Sequence, residues 1–166
     1  MNSFRMYLAI HFIHLLPETR LFNLKNYLLK WAGINIGKNV KICSSIQIIG
    51  NGKLSIGNNT WIGPNCFIST SSLITIGNNC DIAPCCKFIT GSHEINLGGE
   101  RIAGKGYNQN ITIGDGTWIC TNSTILGGSY IGKYSLVAAG AITKGIYADK
   151  QLLKGILAKE SPLTVN

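Results

Sequence analysis

The dipeptide Ile-Gly recurs along this chain at almost constant intervals. Its isoleucines lie 20 residues apart in the first half and 18 apart in the second: Ile36, Ile56, Ile76, then Ile113 and Ile131. A fixed period of this length is the signature of a repeat architecture, in which each repeat stacks on the next one. The sequence therefore predicts a solenoid.

Aliphatic residues recur every six positions within each period. The runs are Ile56, Ile62, Ile68, Ile74; Ile76, Ile82, Phe88; and Ile113, Ile119, Ile125, Ile131, Val137. An amphipathic helix would repeat every ~3.6 residues and a half-buried strand every ~2 residues, so neither explains the pattern alone. Six residues fit one short strand and a corner, and three such sides close a triangular coil. We predict an all-β solenoid with parallel ladders around one core.

Small residues precede the repeated aliphatic residues by two positions. They are Thr60, Cys66, Cys80, Cys86, Thr117, Ser123, Ser129 and Ser135. The cysteines at this position are predicted to be small core residues and not nucleophiles. The six cysteines show no metal-ligand spacing, and the composition is unlike that of a disulfide-stapled secreted domain. We therefore expect a reducing, cytoplasmic location and no metal.

The regular pattern is interrupted between Ile76 and Ile113. The interval is 37 residues, of which one coil accounts for about half. The remainder, about residues 91–110, is expected to leave the solenoid as a loop that begins close to His93. Long loops in compact folds are usually functional.

Two short helices, separated by Pro17, are expected in residues 1–33, with Thr19 as an N-cap and Gly33 at a helix C-terminus. The solenoid is assigned to 34–148 and a tail to 149–166. Two interpretations of the helical segment remain open: it caps the first coil, or it binds a membrane surface peripherally as an amphipathic segment. Its apolar run is too short to span a bilayer.

The formal net charge is +8, which suits a polyanionic partner. Because the basic residues form no consecutive block, nucleic acid is not expected. An acidic membrane surface or a phosphate-rich cofactor remains open.

The ordered set "IAPCCKFITGSHE", an Arg-containing loop and "ITIGDGTWI" resembles the hexapeptide-repeat acyltransferases. It is most similar to the branch that O-acetylates sugars and cell-surface polysaccharides. The resemblance implies a left-handed parallel β-helix of about five triangular coils. It also implies acetyl-CoA as co-substrate, a sugar or glycan acceptor, and a homotrimer whose sites lie between neighbouring chains.

The resemblance also assigns roles to residues. His93 takes the place of the general base. The implied acceptor-binding residues are Asn65, Trp118 and Arg101, although Arg101 suits a solvated or loop-anchoring role better than a contact with the acceptor. The implied coenzyme-binding residues are Thr121, Ala139, Thr143, Lys144 and Lys159. The sequence departs from the family pattern at Cys120, at Leu157, and in "AAGAITKGI", which is one residue short.

A neutral imidazole is well suited to take a proton from an attacking hydroxyl near neutral pH. Whether Glu94, Glu100, Asp81 or a backbone carbonyl orients His93 is left open. Three alternatives differ in function: N-acetylation of an amino-sugar nucleotide, acetylation of a small acceptor such as serine or an antibiotic, and a trimeric scaffold without activity. A zinc hydratase on the same fold would need three histidine ligands, and the coil region holds one. The apolar leading segment favours a membrane-borne glycan as acceptor.

Overall fold

Three parallel β-sheets form the sides of a triangular prism in the computed structural model, which describes residues 1–156 and, for the backbone alone, 159–162. Side A contains β1 (Asn35–Ile36), β4 (Lys53–Ile56), β7 (Leu73–Ile76), β12 (Ile111–Ile113), β15 (Tyr130–Ile131) and β18 (Ile146–Tyr147). Side B contains β2 (Lys41–Ile42), β5 (Trp61–Ile62), β8 (Asp81–Ile82), β13 (Trp118–Ile119), β16 (Leu136–Val137), β19 (Gln151–Lys154) and β20 (Lys159–Pro162). Side C contains β3 (Gln47–Ile49), β6 (Phe67–Ser69), β9 (Lys87–Ile89), β14 (Thr124–Leu126) and β17 (Ile142–Thr143). The chain makes about six turns, against the expected five or so.

The aliphatic residues that recur every six positions stack from coil to coil, and they form one ladder of buried side chains inside each side of the prism. On side A the register pairs Ile36 with Ile56, Ile56 with Ile76, and Ile76 with Ile113. The ladder of side B is Ile42, Ile62, Ile82, Ile119, Val137 and Leu153, all buried. Burying one such side chain contributes ~1.5–3 kcal/mol, so the stacked ladders are the main stabilising element of the fold. The predicted periodicity is confirmed.

The small residues before each ladder position are buried at the corners, as expected. The Thr60 hydroxyl, for example, donates to the Gly77 carbonyl oxygen at 2.9 Å and accepts from the Cys80 N–H. All six cysteines are free, and Cys66, Cys80 and Cys86 lie in the core. Asparagines occupy the adjacent corner positions with φ near +55°, which asparagine tolerates better than most residues. Along the prism, the Asn39 side chain donates to that of Asn59, and the Asn59 side chain donates to that of Asn79.

Two helices, α1 (Ser3–His14) and α2 (Phe22–Trp31), pack over the first coil. Their buried side chains join the solenoid core and include Met6, Ala9, Ile10, Ile13 and Leu29. The Lys25 ammonium is buried beneath α2, and it donates to the carbonyl oxygens of Pro17, Glu18 and Ile42. The capping role weighed from the sequence is thus realised.

The sequence predicts the C-terminal end of α2 correctly and its N-terminal end wrongly. Gly33 follows the C-cap Ala32 of α2 with φ +97°, as glycine at a helix C-terminus does. Thr19 is not an N-cap. The helix begins later, at Phe22, and its N-cap is Leu21 in the left-handed conformation without a capping side chain.

The prism continues beyond the predicted boundary at residue 148. β19 pairs in parallel with β16, so Gln151–Lys154 form one more strand of side B. The backbone of β20 then pairs antiparallel with β19. Leu157, one of the departures from the family pattern, lies outside the described residues.

Candidate active site

A β-hairpin leaves the prism at the corner between sides C and A, called here the CA corner. Its strands are β10 (Gly91–Ile95) and β11 (Ala103–Asn108). The base of the hairpin is closed where the Gln109 N–H donates to the Thr90 carbonyl oxygen at 2.9 Å. The predicted loop at about 91–110 is therefore an ordered hairpin, held where it meets the solenoid.

His93 lies on β10 and its ring is oriented by the opposite strand. Its Nδ1 is 2.9 Å from the carbonyl oxygen of Gly104. Since a carbonyl oxygen only accepts, Nδ1 carries the proton and Nε2 keeps its lone pair. No hydrogen bond to Nε2 occurs within the described part of the chain. Of the orienting groups considered from the sequence, the backbone carbonyl is the one in place.

A shallow cavity of ≈ 380 Å³ opens beside His93. It is lined by Ser71, Gly91, Ser92, His93, Gly106, Tyr107 and Asn108. Ser71 comes from the preceding coil, where its N–H donates to the Thr90 hydroxyl at 2.8 Å. Small and polar walls of this kind suit a hydroxylated ligand better than an apolar one.

Lys144, from a later coil, lies close to Tyr107, one of the residues that line this cavity. The pKa of Tyr107 is lowered, first by a hydrogen bond with the Ser92 side chain and next by the positive charge of Lys144. The sequence placed Lys144 with the coenzyme, and the structure places it at the CA corner with His93. Ser71 and Tyr107 were missed. The composition of the loop was the only signal for Tyr107, and none pointed to Ser71.

Three other candidates lie on a different corner, between sides B and C, called here the BC corner. Asn65, Thr121 and Ala139 are exposed on three turns of it, and the turn of Cys85 lies between those of Asn65 and Thr121. Trp118 lies on the outer surface of side B, where it is 51% exposed and pairs with Asp81 and Leu136. Within one chain, all of side C separates these residues from His93.

Two of the BC-corner candidates, Asn65 and Thr121, form hydrogen bonds with residues of their own chain. Asn65 has φ +55°, and its N–H donates to the Ser45 hydroxyl at 2.8 Å. It shares a small cavity with His14, Glu18 and Ser45. The Thr121 hydroxyl donates to the Pro84 carbonyl oxygen at 2.9 Å. Their side chains remain accessible to a ligand or to a second chain.

Thr143, which the resemblance assigns to the coenzyme, has its side chain inside the prism. It is fully buried at the last position of the side C ladder, and its hydroxyl is 3.2 Å from that of Ser129. A ligand therefore cannot contact this side chain. Arg101 is exposed at the end of the hairpin away from the prism. For Lys159 the structure describes the backbone alone, so its side chain lies outside the described residues.

Among residues 1–156, whose side chains the structure describes, no three His, Cys, Asp or Glu side chains are grouped so that they could hold a metal ion. Within the same range, neither helix has the length and apolar character needed to cross a membrane.

Comparisons with known proteins agree on the fold. The family described as bacterial transferase hexapeptide (six repeats) matches residues 110–145. A hexapeptide-repeat acetyltransferase of Vibrio cholerae is 24% identical, with a TM-score of 0.75 over 96% of this chain and 92% of that one. A galactoside acetyltransferase solved with coenzyme A is 22% identical, with a TM-score of 0.78 over 98% and 80%.

A maltose O-acetyltransferase of Clostridium difficile is 20% identical, with a TM-score of 0.73 over 97% of this chain and 85% of that one. No curated protein matches the sequence. At these identities the likeness is one of fold. The chain has the fold of the hexapeptide-repeat acetyltransferases and carries, in residues 110–145, the hexapeptide repeat of bacterial transferases.

Proposed function

We propose that this protein is an acetyl-CoA-dependent O-acetyltransferase that acts on a sugar hydroxyl of a cell-surface polysaccharide or its precursor. The observation that carries the proposal is the imidazole of His93, presented on an ordered hairpin with Nδ1 bound to a carbonyl and Nε2 free to accept a proton. The fold, shared with acetyltransferases solved with coenzyme A or named for galactoside and maltose, supports it.

The proposed reaction is direct transfer. His93 Nε2 takes the proton of the acceptor hydroxyl while that oxygen attacks the thioester carbonyl carbon. The C–S bond then breaks, and the sulfur of coenzyme A leaves as a thiolate and takes up a proton. Such a base contributes ~10²–10⁴-fold to the rate. The Gly104 carbonyl stabilises the imidazolium that forms, because it accepts from Nδ1–H in both protonation states.

We propose that each site is completed by a neighbouring chain. His93 and Lys144 lie at the CA corner, whereas Thr121, Ala139 and the nearby Trp118 lie across side C. One acetyl-CoA could reach both groups if the CA corner of one copy faced the BC corner of the next. Three copies arranged around a threefold axis would satisfy this condition at every site. Lys144 and the net charge of +8 suit the phosphates of coenzyme A.

We place the enzyme in the cytoplasm, in agreement with six free cysteines, of which four are buried. Asn65 and Arg101 remain proposed acceptor contacts. Asn65 would act from the BC corner of a neighbour, and Arg101 from the far end of the hairpin. The polar cavity beside His93 supports a sugar as acceptor.

The test measures acetyl transfer from acetyl-CoA to a panel of sugars, oligosaccharides, amino sugars and small amines. The free thiol released from the coenzyme reports the reaction. We expect transfer to at least one hydroxyl acceptor and a loss of ~10²–10⁴-fold in kcat for His93→Ala, with a smaller change in KM. The matched control is His11→Ala, an exposed histidine of α1.

Several outcomes would contradict the proposal. Undiminished transfer by His93→Ala would remove it as the base. Transfer only to amines would indicate the N-acetyltransferase instead. A protein that binds coenzyme A and transfers to none of the acceptors would support the inactive scaffold.

A further inference from the structure

Helix α1 is apolar on two opposite faces. One face packs on the solenoid through Met6, Ala9, Ile10 and Ile13. The other points away from it and carries a second stripe at helical spacing: Phe4, Leu8, Phe12 and Leu15. Capping the first coil explains only the inward stripe. A second apolar face that is turned away from the core indicates a second apolar environment.

Helix α2 extends the outward stripe into a continuous surface. The helical face is defined here as Phe4, Leu8, Phe12, Leu15, Leu24, Tyr27, Leu28 and Trp31. A groove of ≈ 260 Å³ runs between the helices, lined by residues of this face and Ala9. Phe12 is 61% exposed and Tyr27 is 68% exposed. An apolar patch of this kind marks an interaction site.

Exposed basic side chains lie on both helices of the helical face and in the segment between them. Arg5, Arg20 and Lys30 are exposed, and the Arg5 guanidinium lies 5.3 Å from the Trp31 ring centroid. Glu18 is the single acidic residue among residues 1–33. Its carboxylate already accepts from the N–H and hydroxyl of Ser45. The charge at the rim is thus positive and uncompensated.

The positive charge at the rim distinguishes between two possible partners of the helical face, a second copy of the chain and an anionic surface. Two copies that met through their helical faces would bring like charges together at the rim, which is unfavourable. An anionic surface would instead attract the same residues, by a factor of about five in binding for each basic side chain. Tyr and Trp at the edge of an apolar patch are typical of the boundary between lipid tails and headgroups.

We propose that the helical face docks on an anionic phospholipid surface. Phe12, Leu15 and their neighbours insert at the boundary between headgroups and acyl chains, while Arg5 and Lys30 extend to the headgroup phosphates. The contact is peripheral and reversible, because neither helix enters the bilayer core. It involves no residue of the cavity beside His93.

The experiment is flotation of the purified full chain with two kinds of vesicle, without acetyl-CoA. One kind is phosphatidylcholine, and the other is an equal mixture of phosphatidylcholine and phosphatidylglycerol. We expect the protein to float with the mixed vesicles only, and less as salt rises. Phe12→Ser with Trp31→Ser should abolish flotation, and Arg5→Gln should weaken binding about fivefold.

The matched control is Ile146→Ser, which removes an 83% exposed isoleucine on side A and should float like the wild type. Circular dichroism of each variant reports folding, and Arg5→Gln tests the idea even if the double variant unfolds. Equal binding to both vesicles, or to neither, would overturn the proposal. So would self-association that Phe12→Ser abolishes, since the face would then bind a second copy. Because no acetyl transfer is measured, this outcome is independent of the proposed function.

Discussion

The Cys43 side chain lies beneath α2, beside the carboxylate of Glu18. Burial raises the pKa of its thiol from 9.0 to about 11, and the negative charge of Glu18 adds to the effect. The folded chain therefore keeps this proton more tightly than the unfolded chain does. This contribution to stability is complete below pH 9.0 and is lost as the pH rises through about 11.

Comparison of the wild type with Cys43→Ala isolates that contribution, because the other titrating groups are common to both proteins. Between pH 9.0 and about 11, we expect the free energy of unfolding of the wild type to fall relative to that of Cys43→Ala, by on the order of 2 kcal/mol. Urea denaturation at a series of pH values measures it. Parallel curves for the two proteins would show that the thiol titrates alike in the folded and unfolded chains.

The hairpin β10–β11 determines where the His93 ring lies. A methyl group added at Gly104 would come within 2.8 Å of Asn96 Cβ and 3.1 Å of the Glu94 carbonyl oxygen. Gly104→Ala should therefore displace the strand whose carbonyl holds Nδ1. A displacement of about 1 Å can cost ~10²-fold in rate. We expect a fall in kcat of that order, with little change in the thermal unfolding midpoint, since the hairpin lies outside the core.

Gly98→Ala is the matched control for that measurement. It lies in the same hairpin, and a methyl group there would have no neighbour within 4 Å. Its kcat should equal that of the wild type. Equal losses in both variants would mean that hairpin flexibility, and not the position of the Gly104 carbonyl, limits the reaction.

The solenoid could be predicted from the sequence because every coil repeats the same environment. Ile62 and Ile82 occupy equivalent places on side B, so their spacing reveals the geometry. A contact between the hairpin and a later coil occurs once and does not repeat, so it leaves no periodic pattern in the sequence. Nothing in the order of residues shows that Lys144 comes beside Tyr107, since that proximity depends on how the corners stack. The burial of the Thr143 side chain could not be foreseen for the same reason: this ladder position carries a polar residue whose hydroxyl lies beside that of Ser129.

The hairpin register was also beyond the sequence. Its alternation of glycines and polar residues has no apolar face to fix the pairing. The structure shows a shift of register between His93 and Ile95. The shift lies in the strand that carries His93, whose ring is held by the Gly104 carbonyl. Because the sequence does not reveal this geometry, it allows either a carboxylate or a carbonyl as the group that orients His93.

At the scale of the whole molecule, the two groups of candidate residues lie on opposite sides of side C. Either one group has no catalytic role, or two copies contribute to each site. The alternatives differ in what happens when two inactive variants are combined. His93→Ala removes the base from the CA corner. Ala139→Trp places a bulky ring at an exposed position of the BC corner, where it would block the coenzyme.

If sites form between neighbouring copies, mixed assemblies of these two variants contain some sites built from two intact corners. With equal amounts and random assembly, about a quarter of all sites are intact, because each contributing chain is the suitable one half of the time. We expect each variant alone to be inactive and the co-refolded mixture to recover about a quarter of the wild-type rate. A mixture as inactive as its components would contradict sites shared between copies. Full activity of Ala139→Trp alone would show that the BC corner has no part in binding acetyl-CoA.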